Sequence, residues 1–191
     1  MTNHSQEPGL HDRSSGNAPD LLSQVLTMIR LRGERVYTAA LRGTWGLAFR
    51  PGAAHFHVVE QGSVWLRRGG ETIKVQAGNM VLLSHGSGHV ICDDPATPAR
   101  VDASLAGFSV GAEGATTRIV GGEFHFEGVA LAAAMTALPA VVDIPSEGGR
   151  MPDWLEAISH FLLKESQAME PGSALMISRL IDLLVIRTLR T

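Results

Sequence analysis

Residues 55–92 read HFHVVEQGSVWLRRGGETIKVQAGNMVLLSHGSGHVIC, and this stretch decides the fold class. It divides into short β-prone segments at 55–61, 64–67, 73–75, 80–83 and 89–92, each separated from the next by glycine. Arg68-Gly69-Gly70-Glu71 predicts a hairpin tip, because adjacent glycines accept the positive φ that tight turns require. Ala77-Gly78-Asn79 and Ser84-His85-Gly86-Ser87-Gly88 predict two further turns. Strands this short, at this spacing, indicate a β-sandwich or barrel.

Toward the N-terminus, Trp45, Leu47 and Phe49 alternate with Gly46 and Ala48, and Val36-Tyr37-Thr38 is β-prone. Residues 1–18 are polar and rich in Gly and Pro without periodicity, which predicts a disordered arm. Asp20 then caps a helical turn carrying Leu21, Leu22, Val25, Leu26 and Ile29. Further strands are expected near 101–109 and 117–127. After residue 128 the pattern becomes helical: an Ala-rich segment over 129–138, then Asp153-Trp154-Leu155-Glu156 as a capping box after Pro152. Pro171-Gly172-Ser173 interrupts that helix. The last helix, 175–189, is apolar around most of its circumference through Leu180, Ile181, Leu183, Leu184, Val185 and Ile186, so it must be buried or meet a partner. The expected organisation is an arm over 1–18, a barrel over 19–128 and a helical subdomain over 129–191.

Composition narrows the function. With 45% hydrophobic and 18% charged residues over 191 positions, the chain can bury a core without a staple. A formal net charge of −3 builds no positive field for nucleic acid. No apolar run reaches membrane-spanning length, and the polar N-terminus does not resemble a secretory signal. A single cysteine, Cys92, fits a reducing compartment, so a cytoplasmic location is expected.

Four of the eight histidines lie between residues 55 and 89. On a strand, His55 and His57 share a face with Val59 and Gln61, while Glu60 faces away unless a bulge intervenes. Two hairpins can fold His89 back beside that pair. Three imidazoles on one wall suit Zn²⁺, Ni²⁺, Fe²⁺ or Cu²⁺; the alternative is that His57 and His89 only hydrogen-bond neighbours inside the barrel. His55, His57 and His89 are therefore the candidate metal ligands, with Zn or Ni the expected ion. The same three residues, with Trp45 and Gln61, are the candidate contacts for a bound effector.

The stretch from Gly78 to His89 resembles the second sequence motif of the cupin superfamily, with Ser84 in place of the motif's proline. Gly62 matches the closing glycine of the first motif, but His55 stands where that motif carries its acidic ligand, and the motif's own His-x-His pair would fall near Phe49 and Pro51. A closer resemblance is to a subfamily of AraC-type transcription regulators, whose N-terminal effector-binding domain is a cupin barrel. It is carried by Leu31-Arg32-Gly33, Trp45-Gly46-Leu47, Phe56-His57-Val58-Val59-Glu60-Gln61-Gly62, Gly88-His89-Val90 and Asp93-Asp94-Pro95. Pro171-Gly172-Ser173, Arg179-Leu180-Ile181-Asp182-Leu183-Leu184 and Leu189-Arg190 continue it into the last helix, so it covers roughly 20–190.

The resemblance implies a mainly β fold: a cupin double-stranded β-helix barrel followed by a C-terminal helical subdomain. It implies a domain that senses a small-molecule effector and dimerises through its last helix. The helix-turn-helix reader of that family is expected to be absent from this chain, so no direct DNA binding is expected. The rival reading is a metal-dependent cupin enzyme of dioxygenase or isomerase type; the missing acidic ligand and first His-x-His favour a sensor over an enzyme.

Overall fold

The structure is a computed structural model that describes residues 30–99, 101–102, 109–111, 116–127, 139–168 and 170–190. The strands are β1 (Arg30–Leu41), β2 (Gly46–Phe49), β3 (Ala54–Gln61), β4 (Ser63–Arg68), β5 (Glu71–Gln76), β6 (Met80–Leu83), β7 (His89–Cys92), β8 (Val101–Asp102), β9 (Ser109–Gly111), β10 (Thr117–Glu127) and β11 (Val141–Ile144). Two helices follow, α1 (Asp153–Ala168) and α2 (Ser173–Thr188). One sheet has the order β11-β6-β3-β10-β1-β9 and the other β5-β4-β7-β2-β8. Pairing is antiparallel except for β1 with β9 and β2 with β8. This is the mainly β, two-sheet barrel with C-terminal helices that the cupin resemblance implies.

The six-stranded sheet is buried on both faces, and β3 shows why its sequence is apolar almost throughout. Phe56 and Val58 face outward into a core closed by Leu155, Ile158 and Leu162 of α1 and Ile181, Leu184 and Val185 of α2. Val59 faces inward, where it joins Tyr37, Leu47, Phe49, Leu66, Val81 and Ile91 between the two sheets. A sheet covered on only one face would alternate apolar with polar residues; this one cannot.

The histidine-bearing face does not continue to the end of β3. The register with β10 steps from Val59↔Ile119 to Gln61↔Arg118, which leaves Glu60 as the extra residue of a β-bulge. Both Glu60 and Gln61 are exposed. Strict alternation had placed Gln61 beside the histidines, and the bulge breaks that alternation.

Two glycines in β10 allow bulky rings to cross it on both faces. Tyr37, Gly121 and His57 are neighbours across β1, β10 and β3. A Cβ at Gly121 would overlap the Tyr37 ring, and one at Gly122 would lie 2.5 Å from Cε1 of Phe56. Glycine usually weakens a strand, and here it provides the clearance that lets one ring lie over the backbone on each side.

Past residue 128 the described residues are not all helical, since β11 adds an edge strand beside β6. The expected helical turn after Asp20, the arm, and the Ala-rich segment over 129–138 lie outside the described residues. Pro171-Gly172-Ser173 does separate the two helices, with Gly172 at φ 96° supplying the left-handed turn. Cys92 is buried, its Sγ 3.5 Å from the carbonyl of Trp65.

Gly121→Ala is expected to destabilise the fold by about 1–3 kcal/mol, because Tyr37 must leave its position over β10 in a filled interior. Urea unfolding of the variant beside the parent checks this; an unchanged midpoint would mean that Tyr37 has room to move.

Candidate functional site: a buried histidine row at one end of the barrel

His55, His57 and His89 come together on the inner face of the barrel. Strand β3 presents the first two, and β7 presents His89 opposite Phe49 of β2. All three are buried, at 3%, 0% and 4% exposure. His57 Nε2 lies 2.7 Å from His89 Nε2, a hydrogen-bond distance. Tyr37 Oη lies 2.6 Å from His57 Nδ1, and His89 Nδ1 lies 3.3 Å from the Ser87 carbonyl oxygen. Phe49 stacks flat on His89, with ring centroids 4.6 Å apart and planes 1° from parallel.

One proton arrangement satisfies every contact in this chain. The Tyr37 hydroxyl donates to His57 Nδ1, His57 Nε2–H donates to His89 Nε2, and His89 Nδ1–H donates to Ser87. Electrostatics favour that neutral arrangement. Burial raises the Tyr37 phenol well above its usual pKa, and the Glu123 carboxylate adds to the effect. Burial holds His57 well below the usual imidazole range, with His89 and His55 acting in the same direction. His89 is lowered to about 3, mainly by burial and then by His55, the Ser87 carbonyl offsetting a little. His55 is lowered to about 4 by burial, partly offset by a loose contact with the Ala53 backbone.

Beside the row, Glu123 of β10 is the inward neighbour of His55 across the strand pair. Its Oε2 is 3.7 Å from His55 Nε2, and its Oε1 is 3.8 Å from Arg35 Nε. Both separations are too long for hydrogen bonds; the Arg35 approach is ionic, whereas His55 is neutral and meets the carboxylate only as a dipole. His55 Nδ1 is buried without a hydrogen bond of ordinary geometry.

A divalent ion does not fit the row as it stands. Two nitrogens bound to tetrahedral zinc at about 2.0–2.1 Å lie roughly 3.3 Å apart, whereas His57 and His89 are in direct mutual contact. Among the described residues, no group of three or more His, Cys, Asp or Glu side chains is placed to hold a metal ion.

Trp45 and Gln61 lie at the other end of the barrel. Trp45 precedes β2 at the end that pairs with Cys92, whereas His89 pairs with Phe49 at the opposite end. Trp45 is buried in the inner core, and its amide donates to Asp93 Oδ1 at 3.1 Å. Gln61 is exposed beyond the bulge. The sequence reading passed over Tyr37, Phe49 and Glu123, which complete the row. One local signal was present for Tyr37: a Gly-Gly pair inside a β-prone run, here Gly121-Gly122, marks close approach by another group.

The cupin family profile matches residues 20–191, and this chain belongs to that family. The match covers the residues over which the AraC-type resemblance extends. No curated protein matches the sequence. Solved structures with related architecture include YhaK from Escherichia coli, 14% identical, covering 61% of this chain and 44% of that one at a TM-score of 0.39. Apo ToxT from Vibrio cholerae strain SCE256 is 9% identical, with 84% and 56% covered and a TM-score of 0.44. ToxT from the same strain with bound unsaturated fatty acid is 11% identical, with 83% and 52% covered and a TM-score of 0.38. The chain thus spans about half the length of these structures. At such scores the likenesses carry neither a ligand nor a function to it.

The neutral row makes stability fall with acidity. Unfolded histidines bind protons below about pH 6.5, whereas folded His55 resists protonation down to about 4 and His89 to about 3. The contribution is complete above pH 6.5 and is lost as pH falls toward those folded values. His55 alone corresponds to about 3 kcal/mol across that window. Urea midpoints between pH 7.5 and 4.5 are expected to drop steadily; a flat profile would mean that the row is hydrated or already charged.

Proposed function

We propose that this chain is the ligand-sensing and dimerising domain of an AraC-type transcription regulator. The observation that carries the reading is the closed histidine row. Three imidazoles are gathered on the inner wall of a cupin barrel; His57 and His89 bond to each other, to Tyr37 and to Ser87, and His55 lies beside them near Glu123. The AraC-type motifs over roughly 20–190 supply the class, and the cupin match over 20–191 supports the fold behind it. His55, His57 and His89 are the proposed effector contacts. Their neutral, polar edges suit a small uncharged or weakly polar molecule that exchanges hydrogen bonds with the row. Trp45 and Gln61, at the other end of the barrel, take no part in this contact.

The metal-dependent enzyme is the weaker reading, because the His57–His89 contact leaves no space for an ion. Elemental analysis of the purified chain discriminates. Zinc or nickel at one equivalent, lost in His57→Ala, would transfer the assignment to a metal-dependent cupin; a metal-free, folded protein supports the sensor.

The proposed partner is a second copy of the chain. Leu184 and Val185 of α2 are fully buried against the chain's own barrel, while Leu175, Met176 and Leu183 are 61%, 48% and 54% exposed. Phe161 of α1, 49% exposed, extends this apolar surface. A groove of about 430 Å³ runs between the helices, lined by Trp154, Phe161, Leu180, Leu183 and Ile186. A two-fold pairing lets the same strip cover itself. Among the described residues no helix is long and apolar enough to cross a membrane, so this surface is not a spanning segment.

Light scattering at micromolar concentration is expected to give the mass of two chains. Leu183→Asp is expected to give a folded monomer, because the carboxylate would be buried only at the seam. Leu184→Asp should instead unfold the chain, since Leu184 belongs to the outer core. A parent protein with the mass of one chain throughout would remove the dimer from the proposal.

A further inference from the structure

A second pocket lies outside the barrel, between its wall and helix α1, and shares no residue with the histidine row. Its volume is about 440 Å³, within the range of small-molecule sites. On the helix side, Glu156, Ser159, His160 and Leu163 line it. Their spacing of three, four and seven residues puts them on one stripe of α1. On the barrel side stands Glu60, the extra residue of the β3 bulge, together with the turn at Gly78. Arg150 and Met151, from the segment leading into α1, close the third side.

Three features make this more than a gap between surfaces. Ser159 is only 2% exposed, and its Oγ has no hydrogen-bond partner, not even the carbonyl four residues earlier that helical serines commonly use. A buried hydroxyl left without a partner is costly, and a ligand's polar group would satisfy it. Gly78 has φ 87°, and a Cβ there would lie 3.0 Å from Ser146 Cβ and 3.1 Å from the Met151 amide nitrogen, so only glycine lets the turn close the floor. The bulge redirects Glu60 toward this side of the sheet.

The lining selects the ligand's charge. Glu60, Glu156 and Arg150 all line the pocket, so carboxylates and a guanidinium stand at its margin. A simple anion would meet both carboxylates, a simple cation would meet the guanidinium, and a bare metal ion would find no converging ligand triad. A molecule carrying both charges satisfies both signs. Met151, Leu163 and Ala77 offer apolar surface beside the charged end.

We propose that this pocket binds an α-amino acid with an apolar side chain, its ammonium group between Glu60 and Glu156, its carboxylate on Arg150, and Ser159 Oγ bonded to the same polar end. Partial burial pushes the Glu60 carboxyl up, with Arg118 pulling it back, and an adjacent ammonium would favour its ionised form. The site is independent of the regulator reading and of the histidine row.

Calorimetric titration of the full chain with L-leucine tests the proposal, with 3-methylbutylamine and 4-methylpentanoate as ligands lacking one charge each. L-leucine is expected to bind and each single-charge analogue to bind at least tenfold more weakly. Glu156→Gln and Arg150→Gln should each weaken L-leucine at least tenfold, while Glu71→Gln, exposed at the start of β5 and outside the pocket, should leave it unchanged. Circular dichroism confirms that the variants fold, which their exposed positions favour. No heat up to millimolar L-leucine, equal binding of the amine, or full affinity in both pocket variants would each overturn the proposal.

Discussion

The inner site depends on the clearance over Gly121. Strands in a sheet stand about 4.8 Å apart, so a side chain on β1 reaches β3 only by crossing β10. Tyr37 makes that crossing because Gly121 has no Cβ, and its hydroxyl then meets His57 Nδ1. From that contact the hydrogen bonds run through His57 to His89 and on to Ser87, joining the two sheets at one end of the barrel. Gly122 does the same for Phe56 on the outer face, where the helices pack. Two adjacent glycines thus hold both the inner polar row and the outer apolar layer in register.

Burial is the dominant influence on the chemistry of the row. A charged imidazole inside the barrel would lose hydration without gaining a close carboxylate, since Glu123 stays 3.7 Å from His55 and partly exposed. The three histidines therefore stay neutral, and neutral imidazoles pair as one donor and one acceptor. Such a pairing accounts for the 2.7 Å contact between His57 and His89.

The helices tie the barrel to two outer surfaces. Helix α1 buries Leu155, Ile158 and Leu162 against the sheet, presents Phe161 to the apolar groove, and turns Glu156, Ser159 and His160 toward the pocket beside Glu60. Helix α2 buries Ile181, Leu184 and Val185 and leaves Leu183 outward. Any occupant of the Glu60 pocket would touch the same helix that borders the groove, so the two outer sites share one rigid element.

Short β-prone runs separated by glycine turns determined the barrel, and the histidine spacing determined that two imidazoles share one strand face, because strand alternation is a local property of the backbone. The break at Pro171-Gly172-Ser173 and the apolar character of the last helix were equally local. Tertiary structure decided the rest. The bulge at Glu60 comes from pairing with β10, so no reading of β3 alone could take Gln61 off the histidine face. Trp45 and His89 both belong to the inner core, but antiparallel pairing of β2 with β7 puts them at opposite ends of it. Tyr37, Glu123 and His57 are far apart in sequence and meet only because β10 lies between β1 and β3. Which leucines of the last helix are buried was also undetermined by a nearly uniform apolar pattern; the outer face of the six-stranded sheet chose Leu184 and left Leu183 in solvent.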